Sequence, residues 1–288
     1  MKLISYQRDG RNSYGVVVNN RIVEVGGDLG SRYPTLRAVL ENDALSELAR
    51  YTEGDGKSSE QELGDELNKI TVLPVIPNPD KIICVGLNYA AHRAETGRGE
   101  TDHPTLFTRF ANTLVGHNQP IIKPKASEQT DYEAELAVII GKRARHVSVA
   151  EALSYVGGYA CFNDVSIRDW QHHTSQFTPG KNFPGTGSLG PWLVTADEIA
   201  DPSKLTLMTR LNGEELQNAT TDQMIFTIPD LISYISTFTE LVPGDIIATG
   251  TPSGVGVARK PPLFMKPGDM VEVEVSGIGV LRNPVVAE

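Results

Sequence analysis

The feature that most constrains this chain is a series of short Val- and Ile-rich runs spread over its last three quarters. "KIICVG", "ELAVIIG", "YACFND", "PWLVT", "KLTLMTRLNG", "GDIIATG" and "DMVEVEVSGIGVL" are short, bounded by turn residues and rich in the residue types that pack well on a pleated surface. Two Pro-Gly-Asp turns, at Pro243 and Pro267, each lead straight into such a run. The pattern predicts a mainly β, α+β fold.

The beginning reads differently. "KLISYQ", "YGVVVNN" and "RIVEVG" are strand-like runs with hairpin punctuation, and "TLRAVLENDALSELARYT" reads as a helical stretch. The polar "EGDGKSSEQELGDELN" follows, and the three prolines of "TVLPVIPNPDKIICVG" break any helix before the next strand. We therefore expect a small N-terminal α+β domain over residues 1–72 and a larger domain over 73–288. Helices are expected within the latter at "SVAEALSYV", "SIRDWQHH" and "IPDLISYISTFTEL", with Ser148 and Pro229 near the starts of the first and last.

Charge narrows the function. The 288 residues include 26 Lys and Arg against 36 Asp and Glu, a net −10 that disfavours nucleic acid or anionic membrane as a partner held by bulk charge. No apolar run approaches the roughly 18 residues of a membrane span, and "MKLISYQRDG" lacks a signal-like core, so a cytoplasmic location is expected. The two cysteines sit among strand residues and read as buried, reduced thiols.

The chemistry must come from carboxylates, because no H-E-x-x-H, G-x-S-x-G or C-x-x-C is present. "GTGSLG" matches a dinucleotide-binding pattern, but "KNFP" before it and "PWLVT" after it are the wrong context; it reads instead as a loop whose backbone approaches something closely. In "TDYEAELAVIIG", Glu133 and Glu135 share one face of an extended strand, with Ala134, Leu136, Val138 and Ile140 on the other. A solvated strand face would look the same. A third carboxylate, Asp164, opens "DVSIRDWQHH", where a helix start would put Arg168 and Gln171 on its own face. Three oxygen donors suit Mg²⁺ first, with Mn²⁺ and Ca²⁺ as alternatives, rather than Zn²⁺.

Three further stretches stand out. In "GLNYAAHRAETGRGE", His92 and Glu95 are i, i+3 helix neighbours, either a general-base dyad or a surface pair, and the polar tail "TGRGETDHP" reads as a mobile lid. Lys181, in "PGKNFPGTGSLGPW", is a lone cation suited to a substrate carboxylate or enolate, or an ordinary surface lysine. Thr251, in "ATGTPSGVG", lies on a glycine-rich loop able to bind an anion, or in a plain turn.

Taken in order, "KIICVGLNYAAH", "DYEAELAVIIG", "NDVSIRDWQ", "GKNFPGTGSLGPW", "DIIATGTPSGVG" and "GDMVEVEVSGIGVLRNPV" resemble the fumarylacetoacetate hydrolase family over residues 75 to 284. The resemblance implies a mixed β-sandwich roll, a homodimer, and a divalent metal on Glu133, Glu135 and Asp164. It further implies His92 and Glu95 as a lid dyad, Lys181 and Gln171 beside a small oxo-acid substrate, Thr251 on a carboxylate-binding loop, and Arg168 supporting the metal aspartate. Tyr89 is expected near the substrate. The larger vertebrate hydrolases have another metal aspartate upstream, which "IICVGLN" lacks, so the chain resembles the shorter bacterial branch. The activity expected first is hydrolysis of an acylpyruvate-type C–C bond. The alternatives are isomerase or decarboxylase chemistry on unsaturated oxo-dicarboxylates, oxaloacetate decarboxylase or tautomerase activity, and a catalytically inactive binding protein.

Overall fold

The computed structural model describes residues 1–52 and 63–288. Two antiparallel-rich sheets pack face to face, as the β-rich reading requires. The larger sheet places, side by side, the strands Arg21–Glu24, Arg11–Val18, Lys2–Arg8, Gly187–Thr195, Val156–Asp164, Ala134–Ile140, Ile246–Ala248, Ile82–Gly86 and Thr105–Arg109, with two short strands, Thr71–Val72 and Leu114–Val115, paired off this path. The smaller sheet runs Glu214–Thr220, Thr206–Leu211, Met270–Val275, Gly279–Ala287 and Ile121–Lys123.

Ala134–Ile140 lies at the centre and is buried throughout. Its alternation sorts side chains between two cores: Ala134, Leu136, Val138 and Ile140 join Leu207, Val273 and Leu281 of the smaller sheet, while Ala137 and Ile139 face Leu3, Leu36 and Phe162. Fully burying each of these larger aliphatic side chains contributes about 1.5–3 kcal/mol. The strand therefore has no solvent face, and any polar group on it needs a dedicated partner.

The segment up to residue 72 adds strands to the same sheet and also carries a small cluster of its own, Ile4, Tyr6, Ile22 and Val72. Lys2–Arg8 pairs with Gly187–Thr195 on one side and with Arg11–Val18 on the other, and Leu3, Tyr14, Leu36 and Leu48 share a core with Ile82, Cys84 and Ile246. The three N-terminal strands form as expected. The helical stretch is two helices, Leu36–Glu41 and Leu45–Thr52, because Asp43 takes a left-handed conformation between them. Thr35 caps the first by accepting the Ala38 N–H. Of the polar segment expected after them, residues 53–62 lie outside the described residues, and Leu63–Leu67 is a short helix.

Two other helices differ from expectation. "SVAEALSYV" supplies only a 3₁₀ turn, Ala152–Tyr155, and "SIRDWQHH" begins as a strand, Ser166–Ile167, paired with Thr130–Asp131 before the helix Arg168–Gln171. "IPDLISYISTFTEL" forms the helix Ile228–Phe238, with Thr227 and Asp230 in a reciprocal capping box. Cys84 and Cys161 are free and buried. Among the described residues no helix is long and apolar enough to cross a membrane.

Candidate metal centre and its cavity

At one end of the central strand, Glu133, Glu135 and Asp164 point donor oxygens at a common space, all within 4.8 Å of one another. The spacing of the two glutamates does what the strand period dictates. Asp164 arrives by a different route from the one expected. It is the last residue of the strand Val156–Asp164, beside Ala134–Ile140, and its N–H donates to the Glu133 carbonyl at 2.9 Å. The shared helical face with Arg168 and Gln171 does not exist, because three intervening residues are extended or strand-paired.

The acids are held by buried cations. Arg109, fully buried, donates to Asp164 Oδ1 at 2.6 Å, to the Val165 carbonyl at 3.0 Å and to Thr186 Oγ1 at 2.9 Å. Lys181 Nζ bridges Glu133 Oε2 and Asp164 Oδ2, at 2.5 Å to each. Arg168 does not reach the metal aspartate as expected; it pairs with Asp131 at 2.8 Å and Glu133 at 2.7 Å, because its helix begins after the turn that carries Asp164 past it. Asp131 is anchored in turn by the N–H groups of Gly256 at 2.7 Å and Val257 at 2.9 Å.

Four buried carboxylates thus meet three buried cations. Burial opposes ionisation of Glu133, yet Arg168 and Lys181 outweigh it and hold the carboxyl well below the usual range. Glu135 fares oppositely: burial, followed by the charges of Asp164 and Glu133, pushes its carboxyl well up, and the Gly250 N–H donates to it at 3.0 Å. An unpaired buried charge costs several kcal/mol. A divalent cation fits this donor set, since it offsets Glu135 and converts an excess of one negative charge into one of positive charge. All-carboxylate oxygen donors match Mg²⁺, Mn²⁺ or Ca²⁺.

The acids floor a cavity of about 280 Å³. His92, Glu95, Lys181, Gln171, Arg168 and Thr251, all singled out in the sequence, line it. His92 and Glu95 lie on the helix Ala90–Glu95, with His92 Nδ1 2.7 Å from Glu95 Oε1. Glu95 also accepts the Gly254 N–H at 2.9 and 3.2 Å, docking this helix on the facing loop. Gln171 Oε1 accepts from Arg168 at 2.9 Å, which fixes the amide and leaves its NH₂ as a donor. Gln217 donates to Thr251 Oγ1 at 2.9 Å, leaving that hydroxyl proton free to donate. Tyr89 is the exception. Its ring is 1% exposed in the core beside Ile83 and Met224 and does not line the cavity, because its extended backbone bridges Met224 before the helix begins.

The sequence reading missed Arg109, Asp131 and Gln217. Asp131 stood in the quoted motif, two residues before Glu133. "GTGSLG" carried the one signal for Arg109: a Cβ at Gly187 would lie 2.9 Å from its guanidinium, so this glycine makes the room predicted for a close approach. Gln217 had no local signal.

Residues 81–286 match the family model for the fumarylacetoacetate (FAA) hydrolase C-terminal domain. The mitochondrial oxaloacetate tautomerase of Rattus norvegicus is 46% identical over 220 residues, which are 76% of this chain and 70% of that protein. Fumarylacetoacetate hydrolase from psychrophilic Exiguobacterium antarcticum superposes with a TM-score of 0.82 at 33% identity, covering all of both chains. Maleylpyruvate hydrolase from Sphingobium sp. SYK-6, solved with manganese(II) and pyruvate, gives 0.81 at 26% identity, covering 100% of this chain and 99% of that one.

Proposed function

Because the chain belongs to the fumarylacetoacetate hydrolase family, we propose that it is a divalent-metal-dependent enzyme interconverting the enol and keto forms of oxaloacetate. The observation that carries this reading is the commitment of Glu95. Both its oxygens are taken by His92 and the Gly254 N–H, so it orients the imidazole and leaves His92 Nε2 as the acid–base atom for the cavity. Tautomerisation needs one such atom: from enol to keto it takes the proton of the 2-hydroxyl and returns one to C3 as the C2–C3 double bond becomes the 2-oxo group, so no proton is gained or lost overall. Glu133, Glu135 and Asp164 would hold the cation, which would supply the Lewis acidity that lowers the cost of enolate charge. The Gln171 NH₂ offers a donor to the substrate oxygens and Thr251 its hydroxyl to the carboxylate, while Lys181, whose three donors go to Glu133 and to the Asp164 side chain and carbonyl, adds positive charge beside them. Mg²⁺ is the first choice because it keeps waters that a bidentate oxo acid displaces. The tautomerase name of the relative in Rattus norvegicus supports the choice of substrate.

Hydrolysis of an acylpyruvate is the second reading, favoured by the structural likeness to maleylpyruvate hydrolase with pyruvate. It requires His92 to activate water as well. The test follows the loss of enol ultraviolet absorbance with Mg²⁺ or Mn²⁺ present. The wild type accelerates it, EDTA abolishes the acceleration reversibly, and His92→Ala lowers the rate by about two to four orders of magnitude while Mn²⁺ binding persists. Release of pyruvate from acylpyruvates, without acceleration of the enol decay, would replace this reading by the hydrolytic one.

A further inference from the structure

The floor of the cavity consumes most of its own charged groups. Lys181 and Arg168 are each bonded to two carboxylates, and Glu95 and His92 to each other. Two lining groups are left over at the mouth, Arg98 and His172. Among the described residues, neither side chain makes an ion pair or a hydrogen bond.

Arg98 is aimed by local backbone chemistry. The helix Ala90–Glu95 ends with the Gly97 N–H donating to the Ala94 carbonyl and the Arg98 N–H to the Arg93 carbonyl, the paired bonds of a Schellman cap. Gly97 takes the left-handed conformation this cap requires, φ +67°. The chain therefore turns back at a fixed point, so the next side chain, Arg98, borders the cavity beside His92, Glu95 and Thr96. His172 comes from the opposite wall, at the end of the helix Arg168–Gln171. Burial lowers its pKa, and the charges of Arg168 and Arg98 lower it further, so both arginines stand close enough for their fields to reach this ring. The nearby acids do not counter this potential: Glu95 is committed to His92 and Gly254, and Glu100 and Asp102 do not line the cavity.

We propose that Arg98, assisted by His172, forms a second anion subsite that binds the distal carboxylate of a four-carbon oxo-dicarboxylate and so selects dianionic over monoanionic oxo acids. The inference rests on the oxo-acid reading above and deepens it. The proximal carboxylate and 2-oxo group face the floor, and only a substrate with a second carboxylate needs a cation at the mouth. A small cavity favours a short dicarboxylate over an acyl tail. Guanidinium is well matched to this task, since it stays charged and presents paired donors to a carboxylate.

The experiment compares oxaloacetate with acetylpyruvate, a monoanion of similar length, under the same Mn²⁺ concentration. Arg98→Gln should lower the ratio of kcat/KM for oxaloacetate to that for acetylpyruvate about tenfold, the effect of roughly 1.4 kcal/mol at a partly exposed site, chiefly through KM. Arg98→Lys should recover part of the ratio by restoring charge without the paired donors. An unchanged ratio overturns the subsite. Should oxaloacetate prove not to be a substrate, the tautomerase reading fails, and the subsite is then read from inhibition: Arg98→Gln should weaken oxaloacetate as a competitive inhibitor of acylpyruvate turnover about tenfold relative to pyruvate. Equal weakening of both inhibitors overturns it.

Discussion

The floor and the mouth of the cavity are built on opposite principles. On the floor, every polar side chain is buried and nearly every one is bonded to a specific partner: Arg109 to Asp164, Arg168 to Asp131 and Glu133, Lys181 to Glu133 and Asp164. At the mouth, Arg98 and His172 have no ion pair or side-chain hydrogen bond among the described residues, and a short helix is docked through one carboxylate on a loop N–H. Charge removed from bulk water must be offset by the protein or a bound ion, whereas a rim charge can wait for its ligand. The floor should therefore tolerate almost no substitution, and the mouth should grade its response by substrate.

The largest effect expected is at Glu135, the one acid on the floor without a cation. Glu135→Gln keeps the shape and the contact with the Gly250 N–H but removes the charge that a metal offsets. Turnover should fall to background, and Mn²⁺ affinity should drop beyond the roughly 100-fold that losing an outer partner costs. Mn²⁺ titration by calorimetry decides it, and wild-type affinity would show that the cation sits elsewhere. Arg109 comes next. Arg109→Lys retains a charge for Asp164 but cannot also reach Val165 and Thr186, so Mn²⁺ affinity should fall about 10- to 100-fold while the chain still folds. An unchanged affinity would mean that Asp164 is fixed by Lys181 alone. Smallest is Glu95→Gln, at the mouth. The amide oxygen can still accept the Gly254 N–H but orients the imidazole less well, which should lower kcat less than tenfold with metal affinity unchanged, since the group acts through His92 and touches no metal ligand. A loss as large as that at His92 would erase the distinction between the two regions.

How much of this was legible in the sequence depends on how local each cause is. Glu133 and Glu135 were legible because strand periodicity alone puts them on one face, and the His92–Glu95 pair because three residues nearly close a helical turn. The smaller sheet was legible from its turns and β-branched runs. Asp164 was found for an incomplete reason: its neighbours looked like a helix start, but pairing of Ser166–Ile167 with Thr130–Asp131 overrode that preference. The pairing of Lys2–Arg8 with Gly187–Thr195 was likewise illegible, since nothing in "KLISYQ" names that strand as its neighbour. Arg109 lies 55 residues from Asp164, and Gln217 lies 34 from Thr251; neither distance leaves a periodic trace. Tyr89 was misjudged because an aromatic beside an active-site histidine looks identical whether its ring turns to the ligand or to the core.

The sheet also sets a schedule for synthesis. Lys2–Arg8 is made nearly two hundred residues before Gly187–Thr195, the strand that pairs with its Lys2–Leu3 end. Thr71–Val72 reaches Tyr6 and Gln7 much sooner, but until Gly187–Thr195 arrives the Lys2–Leu3 end of that edge is bare. Closing so long a loop is slow relative to local pairing, and a bare edge invites other chains. That end of the strand therefore stays open until Gly187–Thr195 has been made.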